Sequence, residues 1–333
     1  MFLRFGSIGN ALVSVPAIRA VRKGMPAAFL ALLCDPRTYD LWKGCPYLDQ
    51  VIVYDQKGGN RAGPGYLKMI HQLRKLRFSH SVHFRRFIRS ELIGFLSGAK
   101  VRIGFDPERF SLLTRKISYR EDESLVEQNL GLAAELGIKA EDAALEYWPG
   151  PASERVRELL GREGRPLVIL HPFARSEQAR RWPRFAELAG RLKADFGAKV
   201  ILIGQAEEAE PLRMDWPKGW GGAVPAFDLT LPELASLIKS ADLLIGNDSG
   251  PMHLAVAIGA PTVGIYGPRQ GLADNLKRWR PKSEKFRSAL LPEDCGDCSK
   301  NPCGPEEMLK CCGRITVEEV MAKAIELGFG KNS

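Results

Sequence analysis

Residues 243–258 read LLIGNDSGPMHLAVAI, and this stretch decides the fold class. Its apolar start predicts a buried strand, the polar turn Asn247-Asp248-Ser249-Gly250 ends that strand, and a helical pattern follows. Asp248 or Ser249 can cap this helix, and its first backbone amides then point toward any anion bound there. A strand, a short polar turn and a helix in this order are typical of a βαβ unit.

The same alternation extends outward through both halves of the chain. In the first half, strands are predicted at residues 2–5, 27–33, 51–54, 81–84 and 101–104, and helices at 11–23, 66–76, 88–96 and 124–136. In the second half, strands are predicted at 167–171, 199–204, 243–246 and 262–266, and helices at 182–196, 231–240, 249–258 and 316–327. Pro16 is expected to start or kink the first helix. A stretch rich in turn formers, 147–166, separates the two halves.

This pattern predicts an α/β protein with two Rossmann-like doubly wound domains facing each other across a cleft. We place the domains at residues 1–155 and 156–333. The chain has 333 residues, of which 45% are hydrophobic and 26% charged, an ordinary globular balance. No run approaches the roughly 18 apolar residues that a membrane span needs, and residues 1–5 are unlike a signal peptide. We therefore expect a cytoplasmic protein with reduced cysteines.

The net charge of +9 is concentrated in one segment. Residues 56–90 contain no acid and nine cations: Lys57, Arg61, Lys68, Arg74, Lys75, Arg77, Arg85, Arg86 and Arg89. Such a field attracts nucleic acid, an anionic membrane surface or an acidic glycolipid. The alternative is a solvated helix face whose counter-charges lie elsewhere in the fold. Nucleic acid is the weakest of these partners, because the sequence lacks both interleaved aromatic residues and a helix-turn-helix pattern.

A glycine-rich turn, Gly6-Ser7-Ile8-Gly9-Asn10, follows the first predicted strand and opens a helix. Backbone amides at such a place hold an anion or a polar group, and glycine lets a ligand approach closely. The spacing is too short for the dinucleotide fingerprint, and Asp35 is the one acid near the end of the second strand. Two glycines can also serve steric needs alone, so the turn by itself is a weak signal.

Residues 6–12, GSIGNAL, and 15–20, VPAIRA, resemble the opening motif of the ADP-heptose:lipopolysaccharide heptosyltransferases, glycosyltransferase family 9 with the GT-B fold. The resemblance implies that Gly6, Ser7 and Gly9 bind an acceptor in the first domain. It places Asn10 at the catalytic position, where the family has an Asp that acts as general base. An amide cannot accept a proton near neutral pH. Asn10 would then orient the acceptor hydroxyl, and another acid or a donor phosphate oxygen would take the proton.

Residues 245–255 and 261–268 are similar to the donor-binding motif of the same family, and 180–183, RRWP, resemble its Lys-x-Trp-Pro segment. By this resemblance the nucleotide diphosphate-sugar is bound in the second domain by Ser176, Arg180, Asp248, Ser249, Gly250 and His253. Arg180 would keep the charge of the family's Lys and add bidentate phosphate geometry. The alternatives are a simple N-cap for Asp248 and a packed histidine for His253.

The implied activity is inverting transfer of a heptose, or a related sugar, from an ADP-sugar to a hydroxyl of an anionic lipopolysaccharide-core acceptor. Arg61, Arg85, Arg86 and Arg89 would bind the phosphates and carboxylates of that glycolipid. Arg180 and the helix amides near Ser249 can neutralise the departing diphosphate, so no metal and no cofactor are expected. The enzyme would work in the cytoplasm, peripheral to the inner membrane. A non-catalytic sugar-nucleotide or glycolipid-binding relative is the alternative that Asn10 supports.

Cysteines cluster near the C-terminus. Cys295, Cys298, Cys303 and Cys311 have a spacing that can hold zinc or an iron–sulfur cluster. Packed thiols, or disulfides formed on oxidation, are the other interpretation. We assign this cluster no part in the transfer chemistry.

Overall fold

The computed structural model describes residues 1–56, 58, 63–161, 166–173, 181–208, 220–267, 276, 278–291 and 310–330. The chain forms two compact units: Met1–Leu145 with Leu276–Arg280, and Glu146–Asn275 with Pro281–Ser333. The first unit ends earlier than the expected boundary at residue 155. The reason is local packing, since Tyr147 N–H donates to Ala257 O at 3.0 Å and Ser153 Oγ to Glu233 Oε1 at 3.2 Å.

The first unit is built on a parallel six-stranded sheet in the order β3-β2-β1-β4-β5-β6. Its strands are β1 Phe2–Arg4, β2 Ala31–Cys34, β3 Gln50–Val53, β4 His80–His83, β5 Val101–Phe105 and β6 Arg115–Ile117. Its helices are α1 Ile8–Leu12, α2 Val15–Gly24, α3 Tyr39–Trp42, α4 Gly63–Lys75, α5 Ile88–Leu96 and α6 Leu125–Ala134. The five predicted strands are confirmed. β6 was missed because its three residues, Arg-Lys-Ile, include only one apolar side chain.

Local sequence explains where these helices begin. Pro16 lies in the first turn of α2, as predicted, because its missing N–H has no partner to lose there. Ser124 and Glu127 form a capping box that starts α6. Leu3, Leu33 and Ile93 are among the buried residues of the core between the sheet and its helices.

The second unit repeats the plan with the strand order β12-β11-β10-β7-β8-β9, again all parallel. Its strands are β7 Leu167–His171, β8 Lys199–Gly204, β9 Val224–Phe227, β10 Leu243–Asn247, β11 Thr262–Tyr266 and β12 Phe286–Leu290. Its helices are α7 Glu154–Leu160, α8 Phe185–Phe196, α9 Leu231–Lys239, α10 Gly250–Ile258 and α11 Val317–Glu326. The four predicted strands and four predicted helices are confirmed. The predictions missed β9 and β12, the two edge strands, where a Pro is tolerated and fewer residues need to be apolar.

The strand orders fix where a ligand can bind in each unit. The order reverses between β1 and β4 in the first sheet, and between β7 and β10 in the second. In doubly wound sheets the crevice at such a switch point, outside the carboxyl ends of the strands, is the ligand-binding place. The glycine-rich turn follows β1, and the Asn247-Asp248-Ser249-Gly250 turn lies at the end of β10.

Candidate active site

The glycine-rich turn follows β1 as its sequence predicts. β1 ends at Arg4, and α1 begins at Ile8 with Ser7 as its N-cap. Gly6 has a φ of +130°, a conformation that residues with a side chain rarely adopt. A Cβ at Gly6 would lie 3.4 Å from Asn10 Nδ2, so the turn backbone and the Asn10 amide pack together. The positive φ at Gly6 is therefore the feature that requires a glycine at the carboxyl end of β1.

Asn10 is held by two neighbours. Its Nδ2 donates to Ser7 Oγ at 3.0 Å, and its Oδ1 accepts from Arg4 Nη2 at 3.1 Å. Arg4 Nε also donates to the main-chain oxygen of Asn10 at 2.6 Å. Gly9 is buried beside it in α1. Both polar atoms of the Asn10 amide are thus bonded, and an amide cannot remove a proton from a hydroxyl group.

Arg4 is a buried cation that the predictions did not include in the site. It is 4% exposed, and its Nη1 donates to Phe84 O at 3.0 Å. Burial and then the charge of Arg85 lower the pKa of Arg4 to about 9, so the guanidinium stays charged at neutral pH. Within the described ranges no carboxylate pairs with Arg4, whose acceptors are main-chain oxygens and the Asn10 amide. Arg4 is therefore a buried guanidinium without an ion-pair partner in this part of the chain.

Asp35 contacts the same turn from β2. The register pairs Arg4 with Cys34, so Asp35 emerges at the carboxyl edge next to the residues that follow β1. Its Oδ2 accepts the N–H of Gly6 at 2.6 Å, and the residue is 8% exposed. In the part of the chain that the structure describes, Asp35 Oδ1 has no hydrogen-bond partner. The sequence showed this acid, but only the pairing of β1 with β2 reveals its contact.

Two of the four predicted acceptor arginines, Arg85 and Arg86, lie near Arg4 and Tyr119. Arg85 lies close enough to Arg4 to lower its pKa, and Arg86 stacks over the Tyr119 ring at 4.3 Å. Arg278 donates to the Tyr119 hydroxyl and also lies over that ring, at 5.4 Å. Arg89 is exposed at the start of α5. Arg61 lies outside the described residues.

The second site is the polar turn between β10 and α10. Asp248 Oδ1 lies 3.5 Å from His253 Nε2, and the His253 side chain is 3% exposed. Ser249 is the N-cap of α10, and Gly250 is its first residue. The Ser249 side chain makes no capping hydrogen bond, and the first turn of α10 has no acid. The turn thus brings four of the six predicted donor residues together and leaves the positive end of α10 available to an anion.

Two further residues complete this turn and were not among the predicted site residues. His171, at the end of β7, has its Nδ1 3.0 Å from Ser249 Oγ. Burial, and then Arg181, lower the pKa of His171 to about 3, so the ring is neutral. Asn247 accepts the Trp182 N–H at 3.2 Å, and its buried Nδ2 has no hydrogen-bond partner among the described residues. A buried unpaired donor costs about 1–3 kcal/mol, which an incoming acceptor would recover.

Five further predicted positions, Ser176, Arg180, Cys295, Cys298 and Cys303, lie outside the described residues. Cys311 is described, and its side chain is partly buried. Among the described side chains no group of three or more His, Cys, Asp or Glu residues could hold a metal ion. The cysteine site therefore stays a prediction.

Two parallel doubly wound sheets, each with a polar turn at its switch point, define a two-domain α/β protein of the doubly wound class. The family model described as "Glycosyltransferase family 9 (heptosyltransferase)" matches residues 66–309. The chain belongs to this family and is a glycosyltransferase. No helix in the described ranges has the length and apolar character that crossing a membrane requires.

Known proteins support the same family and fold. Lipopolysaccharide heptosyltransferase 2 of Escherichia coli is 26% identical over 285 residues, which are 78% of this chain and 80% of that protein. The structure titled ADP-heptose lps heptosyltransferase II, from E. coli, has a TM-score of 0.77 at 23% identity, over 100% of this chain and 99% of that one. A family 9 glycosyl transferase from Veillonella parvula reaches 0.82 at 20% identity, over 98% and 96%. The fold is GT-B, as predicted.

Proposed function

We propose that this glycosyltransferase moves a heptose, or a related sugar, from an ADP-sugar to a hydroxyl of an anionic lipopolysaccharide-core-type acceptor, with inversion. The observation that carries the donor half is the turn at α10. Its helix start has no side-chain cap, and the buried Asn247 Nδ2 beside it lacks an acceptor among the described residues. A diphosphate supplies the negative charge and the acceptor oxygens that both features require.

No metal and no cofactor belong to this proposal. The departing diphosphate needs positive charge, and the chain itself can supply it from the α10 amides, Arg180 and Arg181. Arg181 is partly desolvated: burial lowers its pKa, and its guanidinium lies over the Phe173 ring at 5.1 Å. A partly desolvated cation interacts more strongly with a phosphate than a fully hydrated one does.

The acceptor half of the proposal rests on the charge of the first unit. Arg4 is buried without a carboxylate partner in the described part of the chain, and Arg85 and Arg86 lie around it and Tyr119. Arg278 Nε, which is buried near the same tyrosine, has no hydrogen-bond partner among the described residues. Phosphates and carboxylates of an acidic glycolipid are the groups that such a cluster would recognise.

The activity test uses the purified chain, ADP-heptose and a truncated core acceptor. We expect ADP release that requires both substrates, and an anomeric configuration in the product opposite to that of the donor. Addition of EDTA should leave the rate unchanged. Release from a UDP- or GDP-sugar but not from ADP-heptose would contradict the donor assignment. No release with any donor would favour the binding-only alternative.

A membrane-bound acceptor needs a surface that can approach lipid, and α4 and α5 provide one. Ile88, Leu92 and Phe95 share one side of α5 and are 37%, 39% and 51% exposed. Leu67 on the neighbouring α4 is 66% exposed, and Arg102 lies over the Phe95 ring. We call these four apolar residues the α4–α5 face.

Charge favours an anionic lipid surface as the partner of this face. The exposed cations of the two helices are Lys68, Arg74, Lys75 and Arg89. Glu91 is their only acid, and it is buried with Oε2 accepting from Ser111 Oγ at 2.7 Å and Leu112 N at 2.8 Å. Exposed apolar residues among unopposed cations are what an interfacial helix presents to anionic lipid.

We therefore expect the double substitution Leu92→Ser, Phe95→Ser to weaken binding to vesicles of phosphatidylglycerol and phosphatidylethanolamine by at least about tenfold. Each apolar side chain removed from the lipid boundary forfeits about 1.5–3 kcal/mol at full burial. Vesicle co-sedimentation measures the effect, and turnover of a soluble acceptor should not change. Phe110→Ser, which removes a 76% exposed aromatic outside both helices, is the matched control. Equal binding of the wild type to neutral vesicles would contradict the proposed surface.

A further inference from the structure

The proposed transfer reaction needs a base, and Asn10, at the catalytic position of the glycine-rich turn, is not one. The acceptor hydroxyl must lose its proton as its oxygen bonds to the sugar, and a carboxylate is the usual group for that task. Asn10 cannot serve, because its amide is not basic and both of its polar atoms are bonded, to Arg4 and to Ser7. Another acid or a donor phosphate oxygen must therefore take the proton.

Asp35 is the carboxylate that the fold brings to this turn. Its Oδ2 is fixed by the N–H of Gly6 at 2.6 Å, which sets the plane of the carboxyl group. Its Oδ1 has no hydrogen-bond partner among the described residues, and the residue keeps 8% of its surface exposed. One oxygen is thus anchored while the other is available to a proton donor.

The position of Asp35 in the fold suits a sugar hydroxyl. In doubly wound domains an acid at the end of the second strand accepts a hydrogen bond from a hydroxyl of a ligand lying over the first βα turn. Asp35 directly follows β2, and Gly6 lies in the first βα turn. The Gly6 N–H is bonded to Asp35, and a Cβ at Gly6 would lie 3.4 Å from Asn10 Nδ2, so Asp35 and Asn10 flank the same residue of the turn.

We propose that Asp35 is the general base of the transfer and that Asn10, held by Arg4, fixes the turn beneath the acceptor. The acceptor hydroxyl gives its proton to Asp35 Oδ1 as its oxygen bonds to the anomeric carbon of the donor. The bond from that carbon to the diphosphate oxygen breaks, and the nucleoside diphosphate leaves with the electron pair. Asp35 then releases the proton to water. This inference rests on the proposed transfer to a hydroxyl, but not on the identity of the donor sugar.

Asp35→Asn is the decisive variant, because its amide oxygen can still accept the Gly6 N–H while the basic carboxylate is lost. We expect turnover to fall about 10²–10⁴-fold, the usual contribution of a general base. The thermal midpoint and the KM for the donor should stay close to those of the wild type. The decline of the wild-type rate at acid pH should be absent from the residual rate of the variant. Adding Asn10→Asp to this variant should recover part of the turnover, because it returns a carboxylate to the turn.

Asp49→Asn is the matched control. Asp49 also accepts a main-chain N–H, from Leu30 at 2.7 Å, but it precedes β3 at the opposite end of the sheet. We expect the turnover of Asp49→Asn to match that of the wild type.

Three outcomes would overturn the role of Asp35: turnover of Asp35→Asn within threefold of the wild type, a loss matched by a lower thermal midpoint, or an unchanged acid decline. The comparison uses whichever nucleotide sugar the wild type turns over. A wild type that rejects ADP-heptose but accepts another donor would refute the donor assignment and leave this comparison intact.

Discussion

Lowering the pH from 7 to 5 is expected to reduce the free energy of unfolding by about 2 kcal/mol for each of two buried histidines. Burial lowers the pKa of His83 to about 3, and that of His171 to about 3. As the pH falls through 6.5, the unfolded chain binds a proton at each histidine and the folded protein does not. Stability is therefore present above pH 6.5 and is lost progressively as the pH falls toward 3.

Neighbouring groups explain why neither folded ring takes up a proton easily. His83 is fully buried, with Nε2 2.9 Å from Ser81 Oγ, and after burial the N-terminal amine and Arg102 disfavour its charged form. His171 contacts Ser249 through Nδ1, and after burial Arg181 acts on it in the same direction.

Urea unfolding at pH 7, 6 and 5 measures the effect. The midpoint of each transition should be followed, since the two units need not unfold together. The variants His83→Gln and His171→Asn can keep the hydrogen bonds to Ser81 and Ser249 without titrating. Each should remove about half of the pH dependence. Variants with the full wild-type dependence would show that these histidines do not cause it.

Much of the fold could be predicted because its central strands and helices have recognisable local sequence patterns. Residues 88–96 and 167–171 were predicted with the bounds that the structure has, since the first ends at Ser97-Gly98 and the second lies between Pro166 and Pro172. β9 escaped prediction because Pro225 lies inside it, and an edge position is what makes this proline acceptable. An edge is a property of the assembled sheet and not of the segment.

The site was predictable only where its residues are close in sequence. Asp248, Ser249, Gly250 and His253 occupy one turn, so the motif that holds them is visible in the chain. The contact of His171 with Ser249 spans 78 positions, and that of Asp35 with Gly6 spans 29. Both depend on which strands are neighbours in the sheet. Sequence patterns indicate that strands exist, but not which side chains their pairing brings together.

Arg4→Met is expected to lower turnover at least about a hundredfold, because misplacing a reacting group by an ångström has an effect of that size. Arg4 positions the turn by donating to Asn10 O from Nε at 2.6 Å and to Phe84 O from Nη1 at 3.0 Å. Methionine fills similar volume but donates nothing, so the turn that carries Gly6 and Asn10 loses its anchor. Donor KM should change little, because the α10 turn belongs to the other unit.

The effect of this substitution on stability is the sum of two opposing terms. Each carbonyl left buried without a donor destabilises the fold by about 1–3 kcal/mol. Removing a buried cation has the opposite effect, and the lowered pKa of Arg4, about 9, shows that burial disfavours its charge. We expect the unpaired carbonyls to dominate, with a net loss of about 1–3 kcal/mol in urea unfolding.

Arg102→Met is the control that distinguishes a loss of turn positioning from a loss of stability. Arg102 also donates to main-chain oxygens of the first unit, from Nη1 to Ala99 O at 2.7 Å, but it lies at the amino end of β5. We expect it to destabilise the first unit while turnover per folded molecule stays near that of the wild type. Equal losses of turnover in both variants would mean that Arg4 only stabilises the unit. A loss of turnover in Arg4→Met but not in Arg102→Met would mean that the buried guanidinium of Arg4 positions the turn. Arg4 does so without an ion pair to residue 10, because the Asn10 amide is uncharged.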